Sequence, residues 1–125
     1  MGSKFEQYHH ENQTWVRSLD FFRQENSYLK TRLSEVVDGL TDKNFLALAE
    51  HFQNQFIVKD EFMAELLHDI HAQQELMKAE YKKQGPKPDT RLIKKHEKLS
   101  NEMEYLEKDF ARVRGEFNKY LTSVS

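Results

Sequence analysis

The apolar residues between positions 15 and 40 recur at alternating steps of four and three. The series runs Trp15, Leu19, Phe22, Asn26, Leu29, Leu33, Val36 and Leu40, and Asn26 is its one polar member. A repeat that averages 3.5 residues keeps one stripe of an α-helix apolar, which is the signature of long helices packed side by side. The pattern therefore predicts a long helix here rather than a β-strand.

Two further seams of this kind follow in the chain. The second contains Phe45, Ala49, Phe52, Phe56, Met63, Leu66, Ile70 and Met77, with Lys59 and Gln73 at seam positions, and the third contains Leu92, His96, Leu99, Met103, Leu106, Phe110, Val113, Phe117 and Tyr120. The run Gln84-Gly85-Pro86-Lys87-Pro88 is the strongest helix breaker. The sequence thus predicts helices over roughly 5–38, 42–83 and 90–123, with a Pro/Gly loop at 84–89.

Short connections make successive helices antiparallel neighbours. We therefore expect a single domain over 1–125, an all-α, elongated antiparallel three-helix bundle with coiled-coil-like heptad seams. The Met-Gly-Ser start, residues 1–3, resembles a tag remnant and is left out of this interpretation. In such a bundle we expect Trp15 to lie near Leu66 and Phe110, and Asn26 to face Gln53, Asn54 and Tyr120.

Composition narrows the function classes. Among the 125 residues, Lys and Arg number 19 against 21 Asp and Glu, so the net charge of -2 does not favour binding a polyanion through the whole surface. The chain contains no cysteine, which excludes disulfides, thiolate zinc sites and a cysteine nucleophile. We expect a cytoplasmic protein without a membrane span, and no cofactor. No motif for a nucleophile elbow, a phosphate-binding loop or a zinc protease occurs, so we expect no enzymatic activity.

Apolar residues beside the seams indicate a surface for a protein partner. Phe21 and Tyr28 lie next to the first seam, and Ile57 and Val58 lie off the second. Asn26 lies on a seam, where asparagine commonly fixes the register or the oligomeric state of packed helices. These five residues are the candidate partner interface. The partner is expected to be a protein, and a homodimer is favoured over a monomer.

Cations gather around the predicted loop between the second and third helices. They are Lys82, Lys83, Lys87, Arg91, Lys94, Lys95 and Lys98. Such a cluster can attract phosphate groups of nucleic acid or of anionic lipid. Tyr81 is the one aromatic residue near it, so base stacking and nucleic-acid binding are disfavoured. Runs of charge are usually solvated helix surfaces, and this interpretation is preferred over anion binding.

Helical His and Glu spacings raise a metal site as a third alternative. Glu65 and His68 stand three residues apart, as ligands do in carboxylate-bridged di-iron bundles, and His71 follows three residues later. Because Leu66 and Ile70 mark the inner seam, these three residues are expected to face outward. Surface histidines are therefore the preferred interpretation, and His96, on a seam, is expected to be a hydrogen-bonded or partly exposed seam histidine.

Three segments carry a resemblance to known sequences. W-x3-LDFF at 15–22, ENSYLKTRLSEV at 25–36 and HFQNQFI-x-K-x-EF at 51–62 look similar to uncharacterised helical proteins of Bacteroidetes. The resemblance covers parts of the first two helices and implies no activity. The sequence as a whole favours a non-enzymatic helical scaffold or protein-interaction module, with anion binding and metal binding as alternatives.

Overall fold

The computed structural model describes residues 4–84 and 88–124, and it confirms the all-α three-helix bundle. Helix α1 spans Lys4–Val37, α2 spans Lys43–Gln84 and α3 spans Thr90–Val124. At 1.5 Å per residue these helices are about 50, 60 and 50 Å long. Their bounds agree with the predicted ranges to within one residue. Helix α2 is continuous through Lys59 and Asp60.

Two aspartates define where α2 and α3 begin. Asp42 Oδ1 accepts hydrogen bonds from the backbone N–H groups of Asn44, at 2.9 Å, and Phe45, at 3.2 Å. Asp89 Oδ1 accepts one from the backbone N–H of Leu92 at 2.9 Å. The first N–H groups of a helix have no partner within it, so each cap stabilises its helix by about 1 kcal/mol.

The core consists of three apolar clusters in series along the bundle. The cluster at the start of α1 contains the buried residues Phe5, Tyr8, Met77 and Leu92. The middle cluster contains Leu19, Met63, Leu66, Ile70, Leu99, Met103 and Leu106. The third contains Leu29, Leu33, Ala49, Phe52, Phe56, Phe110, Val113, Phe117 and Tyr120. All three helices contribute to each cluster, as three adjacent heptad seams require.

Buried polar residues separate these clusters. Asn12, Gln73 and His96 lie between the first cluster and the middle one, and Asn26 and Lys59 lie between the middle cluster and the third; all five are at most 8% exposed. On α1 and on α2 the two polar positions are fourteen residues apart, which is two heptads or about 21 Å along a helix. The core is therefore interrupted twice by a polar layer.

Helices α1 and α3 approach each other least closely of the three pairs. Aromatic side chains fill the space between them: Trp15 contacts His96 with ring centroids 4.7 Å apart, and Phe22 contacts Phe110 at 5.1 Å. Trp15 packs on the middle cluster, which includes Leu66 as expected. Phe110 belongs to the third cluster, so the expected neighbourhood of Trp15 and Phe110 was wrong.

The expected environment of Asn26 was also wrong, by about one helical turn. Its side chain bonds to Phe56 and Asp60 rather than facing Gln53 and Asn54. The cause is the connection between α1 and α2, since the number of residues it uses sets the register of the whole antiparallel pair.

Among the described residues, no helix combines the length and the apolar character that a membrane crossing requires.

Candidate functional site

Glu11, Asn12, Gln73 and His96 form the first polar layer, here called the His96 layer. The imidazole of His96 is bonded on both sides: Nε2 lies 2.5 Å from Glu11 Oε2 of α1, and Nδ1 lies 3.3 Å from Gln73 Nε2 of α2. One side chain of α3 thus links all three helices. His96 is 4% exposed and its whole ring lies in the interior.

The partners of His96 define its tautomer. A carboxylate only accepts hydrogen bonds, so the His96 Nε2–H donates to Glu11. In a neutral imidazole Nδ1 is then an acceptor, and it receives a hydrogen bond from the amide N–H of Gln73. The expectation of a hydrogen-bonded seam histidine is confirmed, whereas the pairing with Glu11 was not foreseen.

Two aromatic rings enclose His96. Tyr8 stacks on the imidazole with centroids 3.7 Å apart and planes 13° from parallel, and Trp15 lies tilted at 4.7 Å. Burial lowers the pKa of His96, and this effect outweighs the hydrogen bond and the charge of Glu11, which act to raise it. Burial acts to raise the pKa of Glu11, but the hydrogen bonds with His96 and Gln7 lower it overall. The layer is therefore a neutral histidine beside a carboxylate.

Asn12 completes the His96 layer without a side-chain partner. It is 0% exposed, and neither its Oδ1 nor its Nδ2 forms a hydrogen bond within the described part of the chain. The antiparallel register seen at Asn26 and Asp60 places Asn12 level with residues 70–74 of α2, which include Gln73. Since unpaired buried polar groups are unfavourable, this position favours specificity of packing over maximal stability.

Lys59 and Asp109 form the centre of the second polar layer, here called the Lys59 layer. Their side chains make an ion pair between α2 and α3 and are only 10% and 11% exposed. Arg112 Nη2 donates a second hydrogen bond to Asp109 at 2.7 Å. Burial lowers the pKa of Lys59, and the positive charge of Arg112 lowers it further. The pair joins α2 to α3 at this level, as Gln73 and His96 do in the first layer.

Asn26 joins α1 to the same layer. Its Nδ2 donates to the backbone carbonyl of Phe56 at 3.0 Å and to Asp60 Oδ1 at 2.7 Å. Lys30 forms an ion pair with the other carboxylate oxygen of Asp60. This layer therefore also connects all three helices, through Asn26 to α2 and through Lys59 to α3.

The two layers define how the helices align. A slip of one helix by a single heptad would place Asn26 or Lys59 against an apolar cluster and leave a buried amide or charge unpaired, which is costly. Both ring nitrogens of His96 and the ammonium of Lys59 are already bound within the chain. These groups support a fixed architecture and present no free reactive atom to a substrate.

The five candidate interface residues do not form one surface. Phe21 and Tyr28 are 56% and 59% exposed, Ile57 and Val58 are 43% and 60% exposed, and Asn26 is fully buried and bound within the chain. The Asn26 side chain is therefore inaccessible to a partner in this structure. The exposed residues lie on different sides of the bundle.

The contacts of neighbouring residues show on which side of the bundle each exposed apolar residue lies. Glu25, between Phe21 and Tyr28, pairs with Arg114 of α3 at 3.4 Å, which places both aromatic residues on the side shared by α1 and α3. Val58 lines a depression with Tyr105 of α3 and so belongs to the side shared by α2 and α3. Ile57, the residue before Val58, stands three residues before Asp60, which pairs with Lys30 of α1, and it therefore lies on the side of α2 nearer α1.

The predicted anion-binding lysines lie at the surface. Lys82, Lys83, Arg91, Lys94, Lys95 and Lys98 are exposed, and Lys87 lies outside the described residues. Lys98 lies 3.8 Å from Glu102, and the depression lined by Lys95 and Lys98 also contains Asp69. Acidic side chains are thus interleaved with this end of the cluster, and the basic residues do not converge on one enclosed pocket.

The candidate metal ligands Glu65, His68 and His71 are all exposed, as expected from the seam. His71 Nδ1 lies 3.1 Å from Gln74 Oε1, and His68 lies 3.7 Å from the Asp69 carboxylate. In the described ranges 4–84 and 88–124, no three His, Cys, Asp or Glu side chains cluster as a metal site would need.

Comparisons with known proteins assign no function to this arrangement of side chains. Similarity to helical proteins of Bacteroidetes stays an expectation from three sequence segments. No protein-family model, no curated protein and no solved structure matches the chain.

Proposed function

We propose that this chain is a cytoplasmic, non-enzymatic helical scaffold that acts by binding protein through its sides. The observation that carries the proposal is the exposure of large apolar residues outside a core that is already complete. Phe21, Tyr28, Val58 and Tyr105 are each more than half exposed although three apolar clusters fill the bundle. Exposed aromatic groups that the fold does not need are typical of interaction surfaces.

The polar layers support a scaffold role for the same chain. A surface on a long helix can present side chains at fixed positions only if the helix cannot slide against its neighbours. The His96 layer and the Lys59 layer each tie three helices together, about 21 Å apart, so the outer residues keep their spacing. A rigid rod with apolar side chains on its flanks is suited to protein contact.

Site-specific photo-crosslinking in the native host tests the proposal. A photoreactive residue in place of Tyr28, and separately of Val58, should give discrete adducts with protein, because both positions would lie in a contact. Ser34 is exposed on the same helix as Tyr28 but lies on the side shared with α2, and it serves as the matched control position, where no discrete adduct is expected. The proposal fails if positions 28 and 58 give no more adduct than position 34.

Anion binding by the basic residues near the start of α3 is the second candidate. It is favoured by one observation: Lys82, Lys83, Arg91, Lys94 and Lys95 form no ion pair among the described residues, although acids lie nearby. The double change Lys94→Glu and Lys95→Glu should then weaken binding to a phosphate-rich polymer such as heparin or single-stranded RNA by about tenfold or more, since two positive charges become negative. Binding that is indifferent to salt and to this change would exclude the candidate.

A further inference from the structure

The His96 layer contains hydrogen-bonding groups that its neutral form does not use. Gln73 donates through Nε2 to Nδ1 of His96 at 3.3 Å, while its own Oε1 is buried and has no hydrogen-bond partner in residues 4–84 and 88–124. Asn12, at the same level on α1, is unpartnered at both Oδ1 and Nδ2 within those residues. Because buried polar atoms are nearly always paired, a layer with several unpaired atoms calls for an explanation.

Protonation of His96 would reverse one of its two hydrogen bonds. Glu11 Oε2 already accepts from Nε2–H at 2.5 Å, and this contact becomes a charge-assisted hydrogen bond when the ring is cationic. The second proton binds at Nδ1, which then donates instead of accepting. That new donor faces the N–H group of Gln73. Two donors would oppose each other unless the Gln73 side chain changes its orientation.

The Gln73 amide itself carries the acceptor that a cationic ring needs. A half-turn about the last side-chain torsion exchanges Nε2 and Oε1 with almost no change in the shape of the group, and this torsion is intrinsically two-fold. The reversed amide places Oε1, which is unpaired beside the neutral ring, opposite Nδ1–H. Asn12 bears both a donor and an acceptor, so its amide suits either orientation of a nearby amide.

The charged groups around His96 permit a cation in this layer. Burial and, more weakly, the charge of Lys4 lower the pKa of His96, whereas the hydrogen bond and the charge of Glu11 raise it. Tyr8, stacked on the ring, stays neutral because burial raises its pKa. From α2, the residue that faces the ring is the uncharged Gln73. Other charged residues near this level line an outer depression between α2 and α3 or are exposed: Asp69, Lys95, Glu97, Lys98 and Glu102.

We propose that the His96 layer is a proton-operated switch, in which a second proton on His96 reverses the side-chain amide of Gln73 while the bundle stays folded. The neutral ring accepts a hydrogen bond from Gln73, and the cationic ring donates one to it. The step takes one proton from solvent and changes no covalent bond between heavy atoms. Gln73 also lines the outer depression, of about 240 Å³, so the reversal changes the polar group beside that surface. The inference is independent of the proposed interaction function.

Gln73→Leu tests the switch through the direction in which it shifts the pKa of His96. If the amide reverses, its carbonyl stabilises the cation more than its N–H stabilises the neutral ring, because hydrogen bonds to charged groups are stronger. Leucine then lowers the pKa by about one unit. If the amide is fixed, leucine removes only a donor that favours the neutral ring, and the pKa rises. NMR titration of the ring nitrogens measures the shift, and Gln53→Leu, exposed on the same helix, is the matched control that should leave it unchanged.

A second measurement uses the unchanged chain and decides the question even if the leucine variant does not fold. Once His96 is cationic, NMR should detect a scalar coupling across the hydrogen bond from Nδ1–H to the side-chain carbonyl carbon of Gln73, and this coupling should be absent while the ring is neutral. An unchanged or raised pKa in folded Gln73→Leu contradicts the proposal, as does a missing coupling in the cationic state. Unfolding of the unchanged chain before the ring titrates also contradicts it, since the layer then does not hold the proton.

Discussion

Replacing Asp109 with alanine should lower the free energy of unfolding by about 3–5 kcal/mol, which is a large part of the stability of a domain this size. Lys59 and Asp109 are both close to nine-tenths buried in their side chains. Removing the carboxylate leaves the ammonium of Lys59 buried beside Arg112, without a counter-charge. The loss of stability arises from the unpaired charge of Lys59 and not from the net contribution of the ion pair to the free energy of unfolding. Urea denaturation followed by circular dichroism measures the change.

Two companion variants separate this cause from simple loss of charge. Glu104→Ala removes an exposed carboxylate on the same helix, which lies 3.6 Å from Lys108, and should change stability by no more than about 0.5 kcal/mol. The double variant Lys59→Met with Asp109→Leu removes both buried charges and should recover most of the stability. A double variant as unstable as Asp109→Ala would contradict this explanation of the Lys59 layer.

His96→Ala should destabilise the bundle by about 2–4 kcal/mol, because it removes a buried ring and leaves Gln73 without its partner.

The second effect of His96→Ala is on the pH dependence of stability. The folded pKa of His96 lies below its ordinary value of 6.5, so the unfolded chain takes up the proton first as the pH falls. The contribution of His96 to the free energy of unfolding is therefore complete above about pH 6.5. Below that pH it declines, by at most about 1.4 kcal/mol per pH unit.

The variant separates the contribution of His96 from that of Glu11. The folded pKa of Glu11 lies below 4.5, so its contribution is present above that pH and is lost only on further acidification. His96→Ala should therefore abolish the decline that begins near pH 6.5, in unfolding curves measured at a series of pH values. If the decline persists in this variant, the buried neutral histidine is not its source.

The fold was predictable because its determinants are local. A heptad seam identifies a helix from its own residues, and the breakers at 84–88 mark where one helix must stop. The sequence also placed Lys59, Gln73 and His96 on the seams, so their burial follows from the pattern alone. The apolar residues Phe21, Tyr28 and Val58 were likewise predicted to stand outside the core, and they are exposed.

The polar contacts between helices were not predictable in the same way. Glu11 and His96 are 85 residues apart, and their pairing depends on the register of three helices, which the connections set. The placement of Trp15 against α3 failed by a larger step, since Trp15 contacts His96, which lies fourteen residues before Phe110. One signal was available: polar seam residues recur at a spacing of two heptads, Asn12 with Asn26 and Lys59 with Gln73. Because the two spacings are equal, antiparallel packing of α1 and α2 places Asn12 near the level of Gln73 and Asn26 near the level of Lys59.

The central claim is that the exposed apolar side chains of the bundle are protein contacts. Photo-crosslinking from position 28, with the exposed position 34 on the α1–α2 side as its control, tests this most directly. We expect discrete protein adducts from position 28 and none from position 34, because Tyr28 is 59% exposed although the core is filled without it. Equal labelling from the two positions would contradict the claim.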